Sequence, residues 1–112
     1  MINYGSHHVD QSDIKNVVKV LNSSFLTQGK NLNNFEKKLK TFFGAKYCCA
    51  VSTGTSALHL VMKSLNINKN DYVITTPITF LATANSVLYE KGNIEFVDID
   101  PKSFNIDPLE VE

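Results

Sequence analysis

Apolar residues along this chain recur first at a helical period and then at alternating helical and strand-like periods. In DQSDIKNVVKVL, Ile14, Val17, Val18 and Leu21 fall three or four residues apart, which predicts an amphipathic helix with Asp10 or Ser12 placed to cap its free amides. A polar loop, NSSFLTQGKN, follows and contains Gly29. After it Phe35, Leu39, Phe42 and Phe43 line one side of a second helix, which Gly44 stops. The period then changes. KYCCAVS is short and apolar, as a buried strand is, and TSALHLVMKSLN returns to helical spacing through Leu58, Val61, Met62 and Leu65. NINKND reads as a turn, YVITT as a strand, TFLATANSVLYEKG as a helix and IEFVDI as a strand, before DPKSFNIDPLEVE opens another turn and the start of a further helix. From Tyr47 onward the predicted order is β, α, β, α, β. Such alternation, with strands apolar on both faces, is expected of a parallel sheet covered by helices, an α/β fold.

The stretch AVSTGTSALHL, residues 50–60, is then the turn from a strand into a helix, where open α/β sheets bind ligands. The first amides of a helix lack internal partners and carry partial positive charge, so an anion is favoured there, and Gly54 allows it close to the backbone. Thr53, Thr55 and Ser56 add hydroxyl donors. The loop has neither the GxxxxGK[ST] spacing that wraps a triphosphate nor the GxGxxG of a dinucleotide site, so a single phosphate is the natural guest. Serine and threonine are also ordinary helix caps and glycine an ordinary turn residue, so these residues alone leave a plain cap and a phosphate cup equally open.

Composition narrows the partners. The 112 residues, 43% hydrophobic and 20% charged, suit one domain with a modest core. Eleven basic and eleven acidic side chains cancel and are scattered, which gives no electrostatic footprint for nucleic acid or an anionic membrane. MINYGSHHVDQSD lacks the basic flank and apolar stretch of a secretory signal, and no apolar run approaches the length that crosses a bilayer, so a cytoplasmic protein is expected. Cys48 and Cys49 are adjacent, which suits two reduced strand residues better than a disulfide or a zinc site. His7, His8 and His59 have no second ligand at metal-ligand spacing, and packing or solvated roles are expected for them. Asp98, Asp100 and Asp107 flank Pro101 and Pro108, which predicts turn and cap chemistry in preference to a catalytic carboxylate pair.

Taken in order, TQGK, FE, STGTSAL, DYVITTPITFLATAN and FVDIDP resemble the opening of the DegT/DnrJ/EryC1/StrS family of sugar aminotransferases, which use pyridoxal 5'-phosphate (PLP). The resemblance runs from about the first helix to the end of the chain. Within the family, TTPITFLATAN is most similar to the branch that aminates C4 of UDP-linked 4-keto-6-deoxy sugars in pseudaminic acid biosynthesis. The resemblance implies the N-terminal part of the large domain of a fold-type I PLP-dependent transferase. It implies that Gly54 and Thr55 hold the cofactor phosphate and that Phe80 stacks on the pyridine ring; read without it, Phe80 is a core residue in line with Ala84, Val87 and Leu88. It also implies that Thr27, Gln28 and Gly29 border the substrate sugar, and that Asn85 supports the site from behind.

In the family the lysine that forms the Schiff base, the carboxylate that pairs with the pyridinium nitrogen and a nearby histidine all follow the region resembled here. The expectation is therefore a partial segment, residues 1–112, whose Schiff-base lysine lies beyond residue 112, with no substitute in Lys63, Lys69 or Lys91. The complete protein is expected to be a homodimer that transfers an amino group from glutamate to a nucleotide-linked keto sugar. A sugar dehydratase of the same family, which has histidine in place of that lysine, and a noncatalytic phosphate-binding or interaction module are the alternatives.

Overall fold

The computed structural model describes residues 5–27 and 29–112. The chain divides into two compact units, Met1–Ala50 and Val51–Glu112. In the first, α1 spans Gln11–Leu21 and α2 spans Lys30–Phe43. Asp10, one of the two expected caps, starts α1: its carboxylate accepts from the N–H of Ser12 and Asp13 at 2.7 and 3.0 Å, while the Asp10 N–H donates to Asp13 Oδ2 at 3.1 Å. This reciprocal box satisfies orphan donors on both sides of the helix start. Gly44 ends α2 as expected, because its φ of 62° is a left-handed conformation that costs glycine little.

The Asp13 N–H, followed by the Ser12 hydroxyl and N–H, holds the Asp10 carboxyl below its ordinary value of 3.8. A depressed folded-state pKa contributes stability that is present above 3.8 and is lost as pH falls through the lower folded value. Protection of the Ser12 and Asp13 amides against hydrogen exchange is therefore expected to drop on acidification through that window. Asp10→Asn, which can cap without titrating, should flatten the response; an unchanged acid response in that variant would remove Asp10 as its source.

The predicted strand at KYCCAVS does not form. Residues 47–52 join no ladder among the described residues, and the Ala50 N–H donates instead to Glu36 Oε1 at 2.9 Å. An apolar stretch becomes a strand only when a neighbour accepts its backbone groups, and here a side-chain carboxylate on α2 takes that place. Cys48 is half-buried and Cys49 exposed, both as free thiols.

In the second unit, α3 (Gly54–Ser64), β1 (Tyr72–Thr75), α4 (Leu81–Tyr89) and β2 (Asn93–Phe96) follow in order, and a short 3₁₀ turn spans Pro108–Glu110 where the start of a further helix is expected. The strands pair in parallel, Tyr72 with Asn93 through Thr75 with Phe96. Both α3 and α4 end in the same way. The Ile67 and Asn66 N–H groups return to Met62 and Lys63 carbonyls, and those of Gly92 and Lys91 return to Val87 and Leu88, with Asn66 and Lys91 at φ of 57° and 61°. α4 thus leads directly into β2 and, as the crossover between two parallel strands, runs against them, whereas α3 reaches β1 through a second turn in which the Asp71 N–H donates to the Asn68 carbonyl at 2.9 Å. α4 packs on both strands and on α3.

The modest core expected from composition is smaller than that. Among the described residues only Ala82, Ser86, Val87 and Gly92 are buried, while Phe42, Phe43, Tyr72, Phe80 and Leu81 are largely exposed. Two strands and one covering helix have too few neighbours to enclose large side chains. Ser86 is fully buried and meets its own need by donating to the Thr83 carbonyl at 2.8 Å. No helix among the described residues is long and apolar enough to cross a membrane.

Candidate functional site

The start of α3 separates two jobs that the sequence left merged. Thr53 is the cap: its Oγ1 accepts from the Ser56 N–H at 3.1 Å and lies 3.0 Å from the Ser56 hydroxyl. Thr55 sits two positions beyond Thr53, half-buried, and its hydroxyl has no hydrogen-bond partner among the described residues. The N–H groups of Gly54 and Thr55 likewise find no acceptor there, since the first intrahelical bond comes from Ala57 to the Thr53 carbonyl at 3.1 Å. Gly54 is exposed, and a Cβ built on it would meet nothing within 4 Å. Packing among the described residues does not call for glycine at this position, and the backbone is open to close approach from outside. Two amides, a free hydroxyl and an open approach fit a phosphate group in donor chemistry and in charge.

Phe80 immediately precedes α4, and its ring is 78% exposed. The buried face of α4 among the described residues is made by Ala82, Ser86 and Val87, and Phe80 is the residue just ahead of the helix. An exposed aromatic side chain just ahead of a helix that packs on α3 suits stacking on a flat group. Asn85 is half-buried in the middle of α4.

Of the three loop residues, Thr27 is exposed, Gly29 precedes α2 half-buried, and Gln28 lies outside the described residues. A Cβ on Gly29 would come within 3.2 Å of the Phe25 carbonyl oxygen, so local packing already explains that glycine. A groove of about 660 Å³ opens beside this loop, lined by Lys19, Ser23, Ser24, Phe25, Lys30 and Lys38. Gly54, Thr55 and Phe80 do not line it. For them the donor chemistry at the α3 start is the better guide, since a shallow helix terminus binds through amides and needs no enclosed volume.

The carboxylates keep their expected turn roles. Asp100 accepts from the Ser103 and Lys102 N–H groups at 2.6 and 3.2 Å, Asp107 from Leu109 at 2.9 Å, and Asp98 from Ile99 at 2.7 Å. The Ser103 N–H and hydroxyl, with the Lys102 N–H, keep the Asp100 carboxyl below the usual aspartate range. No group of three His, Cys, Asp or Glu side chains is arranged to hold a metal among the described residues. His7 and His8 are exposed ahead of α1. His59 is more engaged than its sequence context suggested: its Nε2 lies 2.6 Å from Glu90 Oε1. Thirty-one residues separate the two, and only the packing of α3 on α4 brings them together.

This arrangement has relatives. A UDP-4-amino-4,6-dideoxy-N-acetyl-beta-L-altrosamine transaminase of Campylobacter jejuni is 41% identical over 112 residues, all of this chain and 29% of the relative. The crystallised Helicobacter pylori PseC, an aminotransferase involved in the biosynthesis of pseudoaminic acid, is 38% identical. Its alignment covers 97% of this chain and 30% of that one, with a TM-score of 0.88. NtdA from Bacillus subtilis, solved with bound cofactor PMP, is 33% identical across 92% of this chain and 25% of its own, with a TM-score of 0.81. The chain thus spans less than a third of the length of these relatives. Residues 7–112 match the family model itself, and the chain belongs to the DegT/DnrJ/EryC1/StrS aminotransferase family.

Proposed function

We propose that the protein carrying this chain is a PLP-dependent aminotransferase that moves an amino group from glutamate to C4 of a UDP-linked 4-keto-6-deoxy sugar. The division of labour at the α3 start carries the reading: Thr53 caps the helix, which leaves the Thr55 hydroxyl and the Gly54 and Thr55 amides for a phosphate. Family membership and the similarity to a transaminase of a UDP-amino sugar support the substrate class. PLP, when bound, acts as the electron sink that makes the amino-bearing carbon acidic.

This chain's share of the work is binding and orientation. Gly54 and Thr55 anchor the phosphate by two amides and one hydroxyl, and the positive end of α3 offsets its charge. Phe80 would stack on the pyridine ring and help orient it. Thr27, Gln28 and Gly29 border the sugar; the lysine-lined groove beside this loop suits an anionic nucleotide sugar. The complete protein is read as a cytoplasmic homodimer, with no nucleic-acid or membrane partner.

Full-length protein supplied with PLP, ¹⁵N-glutamate and a UDP-4-keto-6-deoxy sugar is expected to yield 2-oxoglutarate and a sugar labelled at C4. A sugar lacking one hydroxyl and carrying no label would favour the dehydratase. Phosphate binding without either product would favour a noncatalytic module.

A further inference from the structure

We propose that His59 and Glu90 are a positioning pair that keeps α3 and α4 in the alignment the cofactor needs, an inference that rests on the phosphate and ring assignments above. The His59 Nε2 to Glu90 Oε1 distance is 2.6 Å, Lys63 Nζ lies 3.9 Å from the same oxygen, and the Tyr89 ring stands edge-on to the imidazole with centroids 5.1 Å apart. His59 and Lys63 are one turn apart on α3, while Tyr89 and Glu90 close α4. Side-chain exposures of 38% for His59 and 19% for Glu90 leave the bond partly buried, with Glu90 the better covered partner.

The two helices pack on each other, one beginning with Gly54 and Thr55 and the other directly after Phe80. Few buried apolar side chains hold them together: Ala82 and Val87 are the buried hydrophobic residues among those described. A hydrogen-bonded helix is stiff, so a slide where His59 meets Glu90 reaches the helix starts almost undiminished. PLP carries its phosphate and its ring at a fixed separation, so both anchors engage only when the two starts are in register. Inorganic phosphate uses the α3 start alone and is indifferent to the register.

The test compares two affinities in the full chain: PLP, and inorganic phosphate measured by its competition with PLP. In Glu90→Ala and in His59→Phe, which keeps a ring against Tyr89 and deletes the hydrogen bond, PLP affinity is expected to fall by about tenfold and phosphate affinity by less than about twofold. Glu90→Gln, which retains a bonding partner for His59, should recover most of the loss. A merely structural role would lower thermal stability without changing the ratio of the two affinities, and an unchanged ratio overturns the pair. If the unaltered chain binds PLP without competition from phosphate, the phosphate assignment falls first and the pair with it. Should Glu90→Ala not fold, the same ratio measured in His59→Phe and Glu90→Gln decides for or against the pair.

Discussion

Thr55→Val is expected to weaken PLP binding by roughly ten- to a hundredfold and to leave the stability of the cofactor-free protein nearly unchanged. The substitution keeps the β-branched shape and removes one hydroxyl, which has no partner among the described residues. Nothing within the fold is therefore lost, whereas a hydrogen bond to a charged phosphate is typically worth about 1.5–3 kcal/mol. Thr53→Val should do the opposite. Its hydroxyl accepts from the Ser56 N–H at 3.1 Å, and deleting a threonine cap costs about 0.5–2 kcal/mol of folding stability. Denaturation of both cofactor-free variants, together with PLP titration of both, checks the pair. A Thr55→Val variant that unfolds more readily but binds PLP normally would sink the phosphate cup and return the α3 start to an ordinary cap. That crossed pattern was not available from STGTSAL, where Thr53, Thr55 and Ser56 are equivalent candidates for one cap and one ligand. Only the backbone course, with Thr53 extended at φ −148° and ψ 158° before Gly54 turns helical, assigns the cap.

Local rules were legible wherever the deciding contact is itself local. Asp10 reaches amides two and three residues on, Gly44 turns the chain at its own position, and the α4 and β2 periods are set by near neighbours. The parallel pairing followed from strand and helix alternation, because a nearby parallel partner needs a crossover helix between them. What stayed hidden depends on distant partners. KYCCAVS has strand composition, but its Ala50 N–H goes to Glu36, and nothing in that stretch forecasts the partner. Phe80 sits at the residue before α4 and is exposed among the described residues, so apolar spacing with Ala84, Val87 and Leu88 does not by itself assign its role. The family resemblance, which rests on ordered motifs and not on spacing, is what singled Phe80 out. His59 had a weaker signal still: Leu58 and Leu60 beside it read as packing, and Glu90 lies outside any window a helical pattern uses.

Gly92→Ala is expected to destabilise the α3–α4 pair strongly, by about 1–3 kcal/mol, the usual cost of forcing extra volume into a filled site. Gly92 is the buried residue at which the chain leaves α4 for β2, and its N–H returns to the Val87 carbonyl at 3.1 Å. A Cβ there would lie 2.6 Å from Ile67 Cγ2 and 2.8 Å from Val87 Cγ1. Both neighbours branch at Cβ and have few rotamers to retreat into, and Val87 is only 1% exposed, so neither methyl moves without shifting a helix end. Ile67 stands just past α3 where Gly92 stands just past α4, so the strain falls between the two reversals that turn these helices back into strands. Alanine elsewhere in place of glycine commonly stabilises by reducing unfolded-state freedom, which makes the sign of the change informative. Denaturant unfolding of Gly92→Ala, of Ile67→Ala and of the double variant would measure it. Ile67→Ala should weaken the protein alone by lost packing yet partly relieve Gly92→Ala, so the double variant should be more stable than the two separate losses predict. Strict additivity would mean that the two residues do not press on each other, and a neutral Gly92→Ala would mean that the turn gives way more easily than its packing implies.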